Sequence, residues 1–239
     1  MKKLAEIQIA VIISARAEWD CVCKYYKDPT LQHSPAGPYF FRELANRPVL
    51  LMHSGWGKVA SASSTQYLID NWHPELLINI GTCGGFSGSV AVGETILANE
   101  TLIYDIYERM TDPRVAVDHY TTPIDLGFLC EPYPQEVRIT RLISADQDID
   151  PDLIFKLTGE YQAVAADWES GAIAWTASRN HTNCLILRVV SDLVDVMGGE
   201  LYNQGSFAER TNEVLTPLIR ALPNWIRCAS WGGKNNPGF

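Results

Sequence analysis

The chain reads as an α/β protein, a single domain with a central mixed, mostly parallel sheet flanked by helices, and three observations predict it. Short apolar runs recur at 7–14, 48–54, 76–80 and 184–187, the pattern of strands buried on both faces. Between the second and third runs, Val59, Ala62, Tyr67, Leu68 and Trp72 fall at helical rather than strand spacing, which gives the strand–helix–strand alternation of a parallel sheet. The 239 residues are 46% apolar, enough for one core that buries about 70–75% of the unfolded surface.

The elements follow in order. The first strand, 7–14, runs into Ala15-Arg16-Ala17-Glu18-Trp19, where Glu18 also suits the exposed first turn of a helix. The strand at 48–54 ends at Ser54-Gly55-Trp56-Gly57, and the helix 59–72 follows. The strand at 76–80 leads into Gly81-Thr82-Cys83-Gly84-Gly85, read as a turn whose glycines let a ligand approach the backbone and meet the Thr82 hydroxyl. Residues 94–98 and 102–106 are further strand material. Pro113, Pro123, Pro132 and Pro134 make 107–135 mostly loop, of the long kind that often serves binding or dimerisation. Residues 172–178 form a helix whose start places Glu169 at a strand-to-helix junction, either as a functional acid or as a glutamate favoured by the helix dipole. The last apolar run, 184–187, ends in Arg188-Val189-Val190-Ser191-Asp192, so a strand end delivers Ser191 and Asp192 to the crevice where α/β sheets bind ligands. A helix N-cap is the other reading of that Ser-Asp pair. Residues 1–231 are read as one domain and 232–239 as a flexible tail.

Composition removes several function classes. A net charge of −9 argues against a basic face for nucleic acid. The chain has no run of membrane-spanning length, and its first residues lack a signal peptide's apolar segment, so a cytoplasmic location is expected. Six cysteines without a Cys-x-x-Cys pair, and five histidines without helical metal spacing, predict reduced thiols, no metal and no cofactor.

Three segments in this order, 81–85, 168–169 and 188–192, resemble the nucleoside phosphorylase and nucleosidase superfamily, and within it the 5'-methylthioadenosine/S-adenosylhomocysteine nucleosidases. The family carries a Gly-Ser/Thr-x-Gly-Gly motif, a Met-Glu pair before a helix and an Arg-x-x-Ser-Asp strand end. Ser54-Gly55-Trp56-Gly57-Lys58 and Val92-Gly93-Glu94 match two further family segments, so the likeness spans about residues 7–220. It implies a nucleoside phosphorylase-like fold and hydrolysis of the N-glycosidic bond of an adenine nucleoside. Asp192 would protonate the departing purine at N7, with Ser191 orienting it. Such a donor needs a raised pKa, which burial supplies. Glu169 would accept from the ribose 2' and 3' hydroxyls, and Glu18 would activate water, with Trp19 as its competitor for that slot. Thr82, Gly84 and Arg188 belong to the same site. Trp168 stands where the family has methionine, and Asp148 and Ile149 lie in the segment that aligns with the purine-contact loop.

The resemblance also implies a homodimer, with 59–72 and 107–135 as candidate interface. Three other readings stay open. A phosphorylase needs cations for phosphate, but this chain has Asn79 where bacterial phosphorylases place an arginine, and no Gly-Asp-Pro loop. Futalosine hydrolases share most of the motifs. A non-catalytic nucleoside binder would not need both Asp192 and Glu169.

Overall fold

A computed structural model describes residues 7–201 and 206–229. The strand β1 (Ile9–Ile13) and helix α1 (Arg16–Tyr25) are followed by a hairpin layer, β2 (Gln32–Ser34), β3 (Gly37–Leu44) and β4 (Arg47–His53). Helix α2 (Gly57–Trp72) then leads to β5 (Leu76–Phe86) and β6 (Thr95–Ile103). Next come α3 (Pro113–His119), β7 (Thr122–Pro123), β8 (Arg138–Ser144), α4 (Ile154–Gly159) and β9 (Ala165–Asp167). Helix α5 (Ser170–Arg179), β10 (Asn183–Asp195), β11 (Gly198–Gly199) and α6 (Phe207–Cys228) complete the order.

The sheet is mixed, with the order β11-β10-β6-β8-β9-β5-β1-β4-β3-β2, and β10 also pairs with β5. The strands β5, β10, β6, β8 and β9 therefore close a ring, from which β1, β4, β3 and β2 extend as an open wing. The pairings at the centre, β1 with β4, β1 with β5 and β5 with β10, are parallel. Apolar side chains pack on both faces of these strands, which is why their sequences run apolar without alternation. On one face Leu215, Leu218, Leu222 and Trp225 of α6 join Trp19 and Val22 of α1; on the other, Leu68 of α2 joins Ile173 and Ala177 of α5.

Several expectations need correction. The glycine motif 81–85 is not a turn. β5 runs straight through it to Phe86, and none of its glycines has positive φ. The glycines serve close approach instead: a Cβ on Gly81 would lie 2.2 Å from Arg188 Nη1 and 2.6 Å from Glu18 Oε1, and one on Gly84 would lie 2.7 Å from Ile149 Cδ1. Ser191 and Asp192 likewise do not end their strand, since β10 continues to Asp195. The register between β10 and β5 slips between Val190 and Asp192, so Ser191 is the extra residue of a β-bulge. Such a bulge re-aims neighbouring side chains within an unbroken strand.

The strand material expected as 94–98 and 102–106 is a single strand, β6, with an irregularity between Ala98 and Glu100. Segment 107–135 is mostly irregular but contains α3 and β7. The tail expected at 232–239 lies outside the described residues.

Gly85 offers a test of how tightly the ring closes. A Cβ there would meet Val90 Cγ2 at 2.5 Å and Val190 Cγ1 at 2.7 Å, both on stiff branched side chains. Gly85→Ala is expected to cost about 1–3 kcal/mol through overpacking. Thermal melting should register that as a loss of about 2–4 °C per kcal/mol. An unchanged Tm would show that the ring yields at this point.

Candidate active site

A cavity of about 670 Å³ opens at the carboxyl ends of β1, β5 and β10, where they meet the amino ends of α1 and α5. Every site residue named from the sequence, Arg188 excepted, lines it, and Arg188 lies directly beneath, 1% exposed. The alternative reading of Glu18 as an exposed helical residue fails, because its side chain is buried at 1% exposure. Trp19 turns the other way, into the core against Phe40 and His53. One helical step separates the two residues, so they leave α1 on different sides and only Glu18 reaches the cavity.

Arg188 organises the floor. Its Nη1 lies 3.4 Å from Glu18 Oε1, its Nε 3.0 Å from Asp167 Oδ2 and its Nη2 3.4 Å from Glu169 Oε2. Nη2 also donates to Asn79 Oδ1 at 2.9 Å, and Nη1 donates to the Thr82 carbonyl at 3.3 Å. Burial alone would lower the arginine's pKa, yet the three carboxylates hold it above its ordinary value.

The acids are each fixed by backbone as well as by Arg188. Glu18 Oε1 accepts from the Thr82 amide at 2.6 Å and its hydroxyl at 2.9 Å, while Oε2 accepts from the Ala15 amide at 3.0 Å. The Thr82 hydroxyl thus faces Glu18 and holds it in place. Glu169 Oε1 accepts from the Gly57 amide at the start of α2, 3.2 Å away. Burial pushes the Glu169 carboxyl up to about 8; Arg188 works against the rise, while Asp167 and Glu18 add to it.

Asp192 lines the same cavity and is bonded to Ser191 rather than to the Arg188 cluster. The Ser191 hydroxyl lies 2.7 Å from Asp192 Oδ1 and 3.2 Å from the Cys83 carbonyl. Burial raises the Asp192 pKa, outweighing the Ser191 hydrogen bond that lowers it. A carboxyl that keeps its proton longer than usual is suited to donate one. Cys83, also on the cavity wall, is buried with its thiol pushed well above the usual value, the environment of an inert rather than a reactive cysteine.

The remaining walls are apolar or aromatic. Trp168 stacks on Trp56 with ring centroids 4.9 Å apart, and Trp56 is 68% exposed at the mouth. Ile149 is buried over Gly84, while Asp148 is exposed at the rim. Several cavity residues carried no signal of their own in the sequence, among them Trp56, His53, Phe207 and Asp167. Trp56 and Asp167 are the ones that fell inside motifs. The first lay within the Ser-Gly-x-Gly-Lys segment and the last within Asp167-Trp168-Glu169, so each motif held a functional neighbour beside the residue that drew attention.

Comparisons with known proteins identify the family. The model of the phosphorylase superfamily matches residues 8–222. The 5'-methylthioadenosine/S-adenosylhomocysteine nucleosidase of Staphylococcus haemolyticus is 26% identical over 226 residues, 88% of this chain and 99% of that protein. The enzyme of the same name from Tolumonas auensis is 30% identical over 173 residues, 67% of this chain and 75% of its own. Among solved structures, the Campylobacter jejuni nucleosidase superposes with a TM-score of 0.74 at 18% identity, covering 92% of this chain and 98% of that one. The Neisseria meningitidis nucleosidase, solved with methylthio-immucillin-A, gives 0.73 at 21% identity, with 92% and 99% covered. With nearly the whole described chain matched, and with its fold shared by nucleosidases, the chain belongs to the phosphorylase superfamily.

Proposed function

We propose that this protein is a purine nucleoside hydrolase, cleaving the N-glycosidic bond of an adenine nucleoside such as 5'-methylthioadenosine or S-adenosylhomocysteine. The observation that carries the proposal is the pair of unlike acid environments in one cavity. Asp192, its pKa raised by burial, is bonded to Ser191, while Glu18 and Glu169 lie around Arg188. The relatives carry names of nucleosidases acting on these two nucleosides.

Glycosidic cleavage leaves positive charge on the sugar and negative charge on the base. In this reading Asp192 gives its proton to purine N7 as the bond from C1' to N9 breaks, and the Ser191 hydroxyl on Oδ1 fixes the carboxyl's orientation. Water attacks C1' and loses its proton to Glu18, whose carboxylate is aimed by the Thr82 and Ala15 amides. In its ionised form, which the buried site favours only above about pH 8, Glu169 accepts from the ribose hydroxyls and lies close to the developing cationic charge, where a carboxylate's stabilisation grows toward the transition state. Trp168 and Trp56 flank the sugar, while Gly84, Asp148 and Ile149 border the base. A phosphorylase would need cations where water is held; Asn79 instead turns its oxygen toward Arg188.

A cytoplasmic location and a homodimer belong to the same reading. Trp56 at the cavity mouth and Val59 in α2, with Tyr107 and Met110 in the segment after β6, expose apolar side chains, and the Lys58–Asp105 ion pair joins the two segments. Apolar patches of this kind mark association sites.

Three outcomes test the proposal. The wild type should release free adenine from 5'-methylthioadenosine without phosphate, and Asp192→Asn should lose about 10²–10⁴-fold in turnover while still binding adenine. Near-normal turnover by that variant, or a strict phosphate requirement in the wild type, would sink the assignment. Glu18→Gln should abolish hydrolysis with little change in adenine affinity, whereas Glu169→Gln should raise KM as well as lower kcat. Equal effects of the two substitutions on KM would contradict the separate roles. Sedimentation analysis should find a dimer, and a fully active monomer would count against the interface.

A further inference from the structure

Asp167 is the one buried cavity carboxylate to which the proposed reaction gives no task, yet it is the most heavily bonded. It ends β9 two residues before Glu169 and is 6% exposed. Its Oδ1 accepts from the Ser144 hydroxyl at 2.5 Å, and both of its oxygens lie 3.2 Å from the Ser170 amide. The Ser170 hydroxyl also meets Oδ2, and lies 3.1 Å from Arg188 Nε. Ser144 belongs to β8 and itself accepts from the Gly171 amide at 2.8 Å, so Asp167 is tied both to the ring and to the start of α5.

A guanidinium has one Nε edge and two terminal nitrogens in a rigid plane. With Nε held by Asp167, that plane has a single orientation left, in which Nη1 faces Glu18 and Nη2 faces Glu169. We propose that Asp167 is a positioning residue for the hydrolysis: it fixes the Arg188 guanidinium by its Nε edge and thereby sets the geometry of Glu18 and Glu169 and the share of the cation left to Glu169. This inference rests on the hydrolase reading for its consequence in turnover but not for its consequence in charge.

Three carboxyl groups share one buried guanidinium, so Arg188 cannot neutralise them all. What Asp167 takes of the arginine's positive charge is unavailable to Glu169. The groups facing Glu169 are Glu18 from α1, the Gly57 amide from α2, Arg188 from β10 and Asp167 from its own segment. Beyond Gly57, Lys58 is already paired with Asp105 and lies 3.7 Å from Asp146. Removing the charge of Asp167 therefore removes an anion that raises Glu169 and frees the cation that lowers it.

The test follows Glu169 directly, by 13C NMR of glutamate carboxyl carbons, with the resonance assigned by its disappearance in Glu169→Gln. The wild type should titrate near 8, and Asp167→Asn should move that titration to lower pH. Asp167→Glu keeps the charge but displaces it by a methylene. It should leave the titration near the wild-type value while lowering kcat about 10²-fold through misplacement of the guanidinium. This second variant decides the question should the first fail to fold. A Glu169 titration unmoved in Asp167→Asn, or one moved in Asp167→Glu, would overturn the proposal and leave Asp167 a stabilising residue only. Failure of the wild type to hydrolyse 5'-methylthioadenosine would instead overturn the function proposed above, while the titration still decides the charge coupling.

Discussion

A guanidinium taken out of water needs anions around it, and Arg188 is among the largest fully buried side chains of the described structure. Removing one partner of a buried ion pair typically costs about 3–5 kcal/mol, because the other charge is left uncompensated. That constraint reaches well beyond the side chains it touches. Gly81 has no side chain because Arg188 Nη1 and Glu18 Oε1 occupy the space. Asn79 is buried in the middle of β5 because its amide nitrogen can donate to the Ile12 carbonyl while its oxygen accepts from Arg188. Five elements, α1, β5, β9, α5 and β10, are thus held in register by one planar cation.

The sheet gives that cation its setting. β5 is parallel to β1 over its first half and stays beside β10 throughout, while its second half turns toward β9. The site therefore lies where one strand changes neighbours, and glycines 84 and 85 sit at the exchange, facing Ala166 and Ala165. Side chains carried by helices and strands are more rigid than loop-borne ones, which suits Glu18 on α1, Glu169 at the start of α5 and Asp192 on β10. Loop residues supply the rim instead, with Asp148 and Trp56 both exposed.

Much of this was legible in the sequence, and the remainder was hidden for identifiable reasons. The apolar runs at 7–14, 76–80 and 184–187 announced β1, β5 and β10, because strands buried on both faces admit little else. The acids Glu18, Glu169 and Asp192 stood out through motif order. The end of β5 was hidden by its own glycines, which signal a turn when only local sequence is weighed, whereas the reason for them is a guanidinium more than a hundred residues away. The bulge at Ser191 arises from pairing and has no sequence signature. α6 was obscured by Pro217 and Pro223, although its Leu215, Leu218, Leu222 and Trp225 repeat at helical spacing. β3 was obscured by Arg42 and Glu43, which interrupt an apolar run on a strand covered on one face. Asp167 was unmarked because a carboxylate at a strand end reads alike whether it meets solvent or an arginine.

The parallel pairing of β5 with β10 has a bearing on how the molecule comes into being. During synthesis β1, β4 and β5 emerge early and can pair among themselves, but the other edge of β5 has to wait for residues 183–195. Until then Asn79 and Glu18 face an empty place where the guanidinium belongs, and the ring has no closure. Contacts this distant along the chain form slowly, after the entropy of closing the intervening loop has been overcome. The nascent protein consequently passes through most of its elongation with one edge of β5 unpaired, and the acids that precede β10 gain their shared cation only when that strand arrives.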